Sequence, residues 1–217
     1  MLQDAELDPS IQQPKGDFAF QICTDTNTLN GATGFLGAYL LRDLLNDGDI
    51  EHVCVLVRAD SAEHAMTRIR RNLEKYGIWE QRHFDGRLSC ALGDFTQSRL
   101  VLEQSMHEEL ASNVDTVIHS GARVDYTRPY RCHVAANVQG TVRMIQFYSD
   151  GRQKALHFVS TLAVFGPVGS AMGTTDVFED DNLESTSTEA IRLDTGYPNQ
   201  NSWQNAFWRR PGSGYWQ

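Results

Sequence analysis

Residues Thr28 to Leu45 read TLNGATGFLGAYLLRDLL, and the three glycines in this stretch leave few folds open. Gly31, Gly34 and Gly37 recur every third residue and lead straight into an amphipathic run. Glycines at the mouth of a helix permit a tight turn and let backbone N–H groups approach a pyrophosphate closely. They also leave the positive end of the helix dipole facing that anion. The spacing alone is weak evidence, because an ordinary turn packed tightly on a helix uses glycine as well. The context strengthens it: the amphipathic run is followed by HVCVLV (52–57), a continuous apolar run of strand length, as expected of a strand buried on both faces.

The same alternation continues along the chain. AEHAMTRIRRNLEKYG (62–77) has helical spacing and stops at a glycine; RLSCALGD (87–94) reads as a strand and SRLVLEQSMHEELAS (98–112) as a helix. VDTVIHSGA (114–122) is a strand running into small residues, YRCHVAANVQGTVRMIQFYS (130–149) is helical, and ALHFVSTLAVFG (155–166) is a further strand. Strands alternating with helices imply an α/β fold, a doubly wound parallel sheet of Rossmann type with right-handed crossovers, spanning about 18 to 160. The first strand is assigned to the apolar residues Phe18 to Cys23, which a polar stretch separates from Gly31; it is expected to be the least regular of the sheet. Residues 1–17 read as a linker, 18–198 as the nucleotide-binding domain and 199–217 as an irregular tail carrying Trp203, Trp208 and Trp216. The Gly-, Ser-, Thr- and Asp-rich region 167–195 is expected to be mostly irregular, with Glu179, Asp180 and Asp181 forming a solvated acidic loop.

Composition narrows the function classes. A net charge of −9 over 217 residues argues against nonspecific nucleic-acid binding, and no apolar stretch approaches membrane-spanning length. Cys23, Cys54, Cys90 and Cys132 lie far apart without metal-ligand spacing, so no metal site is expected. Cysteines within apolar runs act as small core residues, which fits a reduced, cytoplasmic protein. His119, at the end of an apolar run, reads as a satisfied core or edge histidine.

Several further motifs stand in order: GATGFLGAYLLRDLL, VCVLVRA, LGDF, VIHSGARVDY, NVQGT, HFVSTLAVFG and TGYP. Together, over about 28–198, they resemble the reductase domain that ends nonribosomal peptide synthetases, carboxylic acid reductases and aminoadipate reductases, a branch of the extended short-chain dehydrogenases. The stretch LDPSIQQP also resembles the linker between a carrier domain and such a reductase. The resemblance implies that NADPH reduces a carrier-bound acyl thioester, or a small carboxyl-derived substrate, to an aldehyde or alcohol, with a synthetase as partner. It places Gly31, Ala32, Thr33, Gly34, Phe35 and Leu36 along the cofactor phosphates, with Asn30 where the family usually has Thr. Arg58, after the second strand, falls where a ribose 2′-phosphate would lie; a cation there favours NADP, whereas NAD selection places a carboxylate. Asp60 stands close by, and Arg68 matches a second family arginine. Asp94 and Phe95 would flank the adenine, Ser120, Gly121 and Ala122 would approach the ribose and nicotinamide, and Asn137 would fix backbone near the site.

For catalysis the resemblance implies Thr161, with Ser160 as fallback, holding the substrate oxygen, and Tyr197 donating a proton. The family then places Lys four residues after Tyr, in a pattern close to Gly-Tyr-x-Gln-Ser-Lys-Trp. This chain reads GYPNQNSWQNAFW, with Asn201 at that position, and its lysines are Lys15, Lys75 and Lys154. An unassisted tyrosine keeps a pKa near about 10, so proton transfer is harder without the cation. The substrate lobe of the family is also expected to be largely missing. Three further readings therefore stand beside the reductase: a noncatalytic nucleotide-binding module, a truncated inactive remnant, and another extended short-chain dehydrogenase such as a sugar epimerase.

Overall fold

The computed structural model describes residues 26–81, 86–152 and 154–161. These fall in two units, 26–122 with 141–159 and 123–140 with 160–161. The elements run β1 (Thr26–Asn30), α1 (Phe35–Asn46), β2 (His52–Val57), α2 (Ala62–Lys75), β3 (Leu88–Leu92), α3 (Gln104–Asn113), β4 (Thr116–His119), α4 (Gln139–Ser149) and β5 (Ala155–Phe158). All five strands pair in parallel in the order β3-β2-β1-β4-β5. The order reverses direction between β1 and β4, so the carboxyl ends of these two strands bound the crevice where doubly wound sheets take their ligands.

The apolar run in β2 shows why both faces are covered. Successive side chains of a strand point to opposite faces. Val53, Val55 and Val57 enter one core with Ala38, Leu41, Leu45, Ile69 and Leu73. Cys54 and Leu56 enter the other with Ala91, Val117, Leu110, Met144 and Phe147. Thus α1 and α2 cover one face, and α3 and α4 the other. Arg87 fastens the end of α1 to the sheet by donating to the carbonyls of Leu45 (2.8 Å), Asp47 (2.6 Å) and Ile50. On the second face Asp115 is buried; it accepts from the Thr26 N–H at 2.9 Å and pairs with Arg152, which ties the starts of β1 and β4 together.

Three sequence expectations need correction. Among the described residues the strand that runs directly into Gly31 is the polar stretch TNTLN, where the sequence reading left a gap between strand and turn. It is also regular: β1 pairs along its length with β2 and, from Asn27 to Asn30, with β4. Backbone pairing on both sides and burial between two helix layers hold it despite its side chains. The second correction concerns 98–112, where the helix begins only at Gln104. Arg99, Leu100 and Val101 have φ of 50°, 58° and 56°, a left-handed turn that no helix can traverse. The turn carries the Leu100 carbonyl back to accept the Asp94 N–H at 2.7 Å and sets the Leu100 side chain into the core. The third is 130–149: Tyr130–Cys132 is a 3₁₀ turn and Val134–Val138 a π turn, and the α-helix starts at Gln139.

The proposed strand at Phe18–Cys23, the far end of the 155–166 strand, region 167–195 and the tail all lie wholly or mostly outside the described residues. Among the described residues, no helix is long and apolar enough to cross a membrane, and no group of His, Cys, Asp and Glu is placed to hold a metal ion.

The polar character of β1 has a cost. Among the described residues, Asn27 Nδ2 and Thr28 Oγ1 are buried without a hydrogen-bond partner. Each such group costs roughly 1–3 kcal/mol. Thr28→Val keeps the β-branched shape and removes the hydroxyl. The variant is expected to unfold at higher urea, with a gain of about 1 kcal/mol, measured against the unmodified chain in equilibrium denaturation.

Candidate functional site

At the crevice, backbone meets backbone. Gly31 has φ +85°, and a Cβ there would stand 2.8 Å from the Gly121 nitrogen and from the Ser120 carbonyl carbon. A Cβ on Gly37 would stand 2.1 Å from the Gly31 carbonyl oxygen. Only glycine allows the β1 turn, the first turn of α1 and the end of β4 to pack this closely. The Gly34 N–H donates to the Gly31 carbonyl at 2.8 Å and closes the turn. Gly34 is also the N-cap of α1, which has no side-chain cap and no acidic residue in its first turn. The first-turn N–H groups, which have no acceptor within the helix, are therefore left for an anion. Ala32 is buried and Thr33 half-buried. Phe35 and Leu36 expose their side chains, the Phe35 ring lying edge-on to Tyr39 and Tyr76 with centroids 5.2 and 5.3 Å away.

Asn30 locks the two strand ends in register. Its Oδ1 accepts the Gly121 N–H at 2.7 Å, and its amide meets His119 Nδ1 at 2.9 Å. His119 Nε2 in turn meets the Thr141 hydroxyl at 3.0 Å. The histidine is fully buried, and desolvation of its charged form lowers its pKa to about 3. It is a neutral structural member of a buried network, as the sequence suggested, and Asn30 serves as the clamp. Ser120 Oγ is buried and has no partner among the described residues. A Cβ on Gly121 would meet the Phe95 ring at 2.9 Å, and that ring lies edge-on to His119 at 5.6 Å. Asp94 Oδ1 accepts the Thr96 N–H at 2.8 Å and holds the turn that carries Phe95. A tight glycine turn, an uncapped helix and an orphaned hydroxyl at the strand end fit a dinucleotide.

Next to this cradle, α2 supplies side chains that hold loops. Arg68 donates to the backbone carbonyl of Arg58 and so holds the loop after β2. Asp60 pairs with His64 at 3.4 Å, at the start of α2. Asn72 donates to the carbonyls of Ala32 and Gly34; sequence reading missed it, because an amide inside a helix carries no signal of what it reaches.

In the other unit Asn137 clamps Arg123, accepting its N–H at 2.7 Å and donating to its carbonyl at 2.9 Å. This agrees with the expected backbone-fixing role. Ser160 and Thr161 follow directly on the last sheet bond of β5, from Val159 N–H to the His119 carbonyl at 3.0 Å. Ala122 is exposed just past Gly121. Tyr197 and Asn201 lie outside the described residues. Lys154 precedes β5, at the strand's opposite end, where it donates to the carbonyls of Asp150 and Arg152; burial lowers its pKa to about 8. Cys54 and Cys90 sit in the cores as expected, and burial raises both thiol pKa values, that of Cys90 to about 12. The α3–α4 side also carries a cavity of about 770 Å³, lined among others by Arg99, His107, Glu108, Arg143 and Asp150. It includes none of the residues singled out from sequence, and its lining mixes both charges.

A parallel sheet in this strand order, with a glycine cradle at its switch point, defines a Rossmann-like dinucleotide-binding domain. Within that class the chain belongs to the NAD-binding male sterility protein family, whose model matches residues 29–205. It is 43% identical over 175 residues to the aldehyde reductase lnbA of Aspergillus flavus, covering 81% of this chain and 17% of that protein. It is 41% identical over 203 residues to the non-canonical nonribosomal peptide synthetase FrzA of a Cladobotryum species, covering 92% and 19%. The crystal structure of the terminal R domain from the myxalamid PKS-NRPS pathway superimposes with a TM-score of 0.80 at 32% identity, over 95% of this chain and 50% of that one. The chain thus spans under a fifth of these curated relatives and about half of the solved R domain.

The buried histidine gives a signature in pH. A neutral His119 in the fold, against an unfolded histidine near pH 6.5, means that the unfolded chain binds the extra proton between those values. Its contribution is whole above pH 6.5 and is lost as pH falls toward 3. Between pH 8 and pH 4.5 this loss is about 2–3 kcal/mol. Urea unfolding of the unmodified chain is expected to lose that much more stability over the interval than His119→Gln, since the carboxylates titrate alike in both.

Proposed function

We propose that this chain is the cofactor-binding part of an NADPH-dependent reductase acting on carrier-bound acyl thioesters or related carboxyl-derived substrates in secondary metabolism, yielding an aldehyde or alcohol. One observation carries the reading: at the switch point, Gly31, Gly37 and Gly121 let the β1 turn, α1 and the end of β4 pack where any Cβ would clash, which sets the uncapped first turn of α1 beside the end of β4. In this reading the uncapped first turn of α1 and the N–H groups of the glycine loop hold the diphosphate, and Phe95 and Asp94 border the adenine. Ser120, Gly121 and Ala122 let the nicotinamide ribose lie against the end of β4.

The bound NADPH supplies the hydride. Thr161, with Ser160 beside it, would hold the substrate oxygen and Tyr197 would deliver the proton as the carbonyl is reduced. The partner in this reading is the acyl thioester of a carrier protein, presented by a synthetase. A cytoplasmic setting accords with the described cysteines Cys54, Cys90 and Cys132, all unbridged.

Arg58, placed directly after β2, and Arg68, which donates to its backbone carbonyl, are the two cations this reading gives to the 2′-phosphate, a choice that favours NADPH over NADH. Arg58→Ala is expected to weaken NADPH binding by about 1.5–3 kcal/mol, the range of a charge-assisted hydrogen bond, and to leave NADH binding nearly unchanged. Equal affinity of the unmodified chain for both cofactors would contradict the assignment.

A second reading is favoured by Asn201. A neutral amide where the family places lysine leaves Tyr197 without a cation to lower its pKa. The chain would then be a noncatalytic nucleotide-binding module, or an inactive remnant if the cradle is empty of function too. Fluorescence titration with NADPH followed by an assay on a carrier-bound acyl thioester separates these. The expected result is NADPH binding with turnover at or near background, and Asn201→Lys is expected to tighten binding modestly without restoring turnover. Robust turnover by the unmodified chain would refute the part assigned to Asn201, and absence of binding would favour the remnant.

A further inference from the structure

Two carbonyl oxygens of the glycine loop, those of Ala32 and Gly34, face α2. Asn72 Nδ2 donates to both, at 3.0 and 2.9 Å, across 40 and 38 residues of sequence. Only the amide nitrogen can face two carbonyl oxygens, so the chemistry fixes the orientation of the side chain. Both of its hydrogens are committed to the loop.

A trans peptide is planar, with its C=O and N–H pointing in opposite directions. Holding the Ala32 oxygen therefore turns the Thr33 N–H away from α2, and holding the Gly34 oxygen does the same for the Phe35 N–H. The Gly34 N–H is spent on the Gly31 carbonyl at 2.8 Å. Thr33 and Phe35 thus carry N–H groups turned away from α2, and Asn72 braces both peptide planes, the second together with the Ala38 N–H, which donates to the same Gly34 oxygen at 3.2 Å. Arg68, one helical turn earlier on the same face of α2, holds the Arg58 carbonyl in the neighbouring loop. Two loops from two different βα units are thus set by one helix.

We propose that Asn72 is a positioning residue for the diphosphate of the cofactor, acting through the peptide planes 32–33 and 34–35, separately from the arginines that face the 2′-phosphate. The inference rests on the NADPH reading above. It predicts that losing Asn72 harms ligands that use the glycine loop and spares those that do not.

The test is calorimetric titration of the full chain and of Asn72→Leu with two probes, NADPH and adenosine 2′-monophosphate, which has a 2′-phosphate but no diphosphate. Asn72→Leu keeps the branched shape of the side chain, though it is bulkier, and removes both donors. NADPH affinity is expected to fall about tenfold, as two ordinary hydrogen bonds imply, with adenosine 2′-monophosphate affinity within twofold of the unmodified chain. Should Asn72→Leu fail to fold, Asn72→Ser, which shortens the side chain beyond reach of both carbonyls, carries the same expectation. Unchanged NADPH affinity would overturn the inference alone, and equal loss of both probes would reduce Asn72 to a packing residue of α2. An unmodified chain that does not bind NADPH would overturn the parent reading and this inference with it.

Discussion

The structure depends on one close approach, that of the Gly31 turn to the Ser120–Gly121 backbone. The sheet can bring β1 and β4 side by side with any side chains, but it brings their ends into contact only where no Cβ intervenes. Three glycines remove the obstruction, and Asn30 adds the bond that holds it, from Oδ1 to the Gly121 N–H. Beneath it, His119 and Thr141 complete a buried, neutral polar network in which the histidine cannot take up charge without losing its surroundings. Close packing above and hydrogen bonds below thus hold the two strand ends together.

The central strand shows how polarity can help at one position and cost at the next. Asn30 spends its amide on two partners and organises the crevice. Thr28 and Asn27, earlier in the same strand, bury polar atoms that find none among the described residues. A strand paired on both edges tolerates this because backbone bonds and the apolar cores around β2 supply the stability. The same balance explains why β1 was hard to place from sequence. Periodicity detects strands by their apolar residues; TNTLN offers only Leu29, whereas Phe18 to Cys23 is an apolar run. The surer signal was positional, since a phosphate-binding turn begins where its strand ends, and Asn30 stands directly before Gly31.

Other parts of the site divide along similar physical lines. The glycine turn and the small residues after β4 are legible as backbone features because each is tied to a strand end by a short sequence distance. The left-handed turn at Arg99–Val101 was not, since ordinary side chains gave no sign of positive φ and the turn exists to seat Leu100 and return its carbonyl to Asp94. Asn72 was not legible either, because its role depends on where α2 passes, which is a tertiary fact. The π turn before α4 hid inside a good helical pattern, where Asn137 bends the chain toward Arg123.

The central claim is that the cradle between β1 and β4 receives the cofactor. The most direct measurement is an amide NMR spectrum of the ¹⁵N-labelled full chain with and without NADPH. The account predicts the largest shifts at Thr33, Gly34, Phe35 and Gly121, with Gly48 and Gly77 unmoved. Shifts centred instead on the α3–α4 cavity, at His107, Ser112 and Gly151, or no shifts at saturating NADPH, would contradict it.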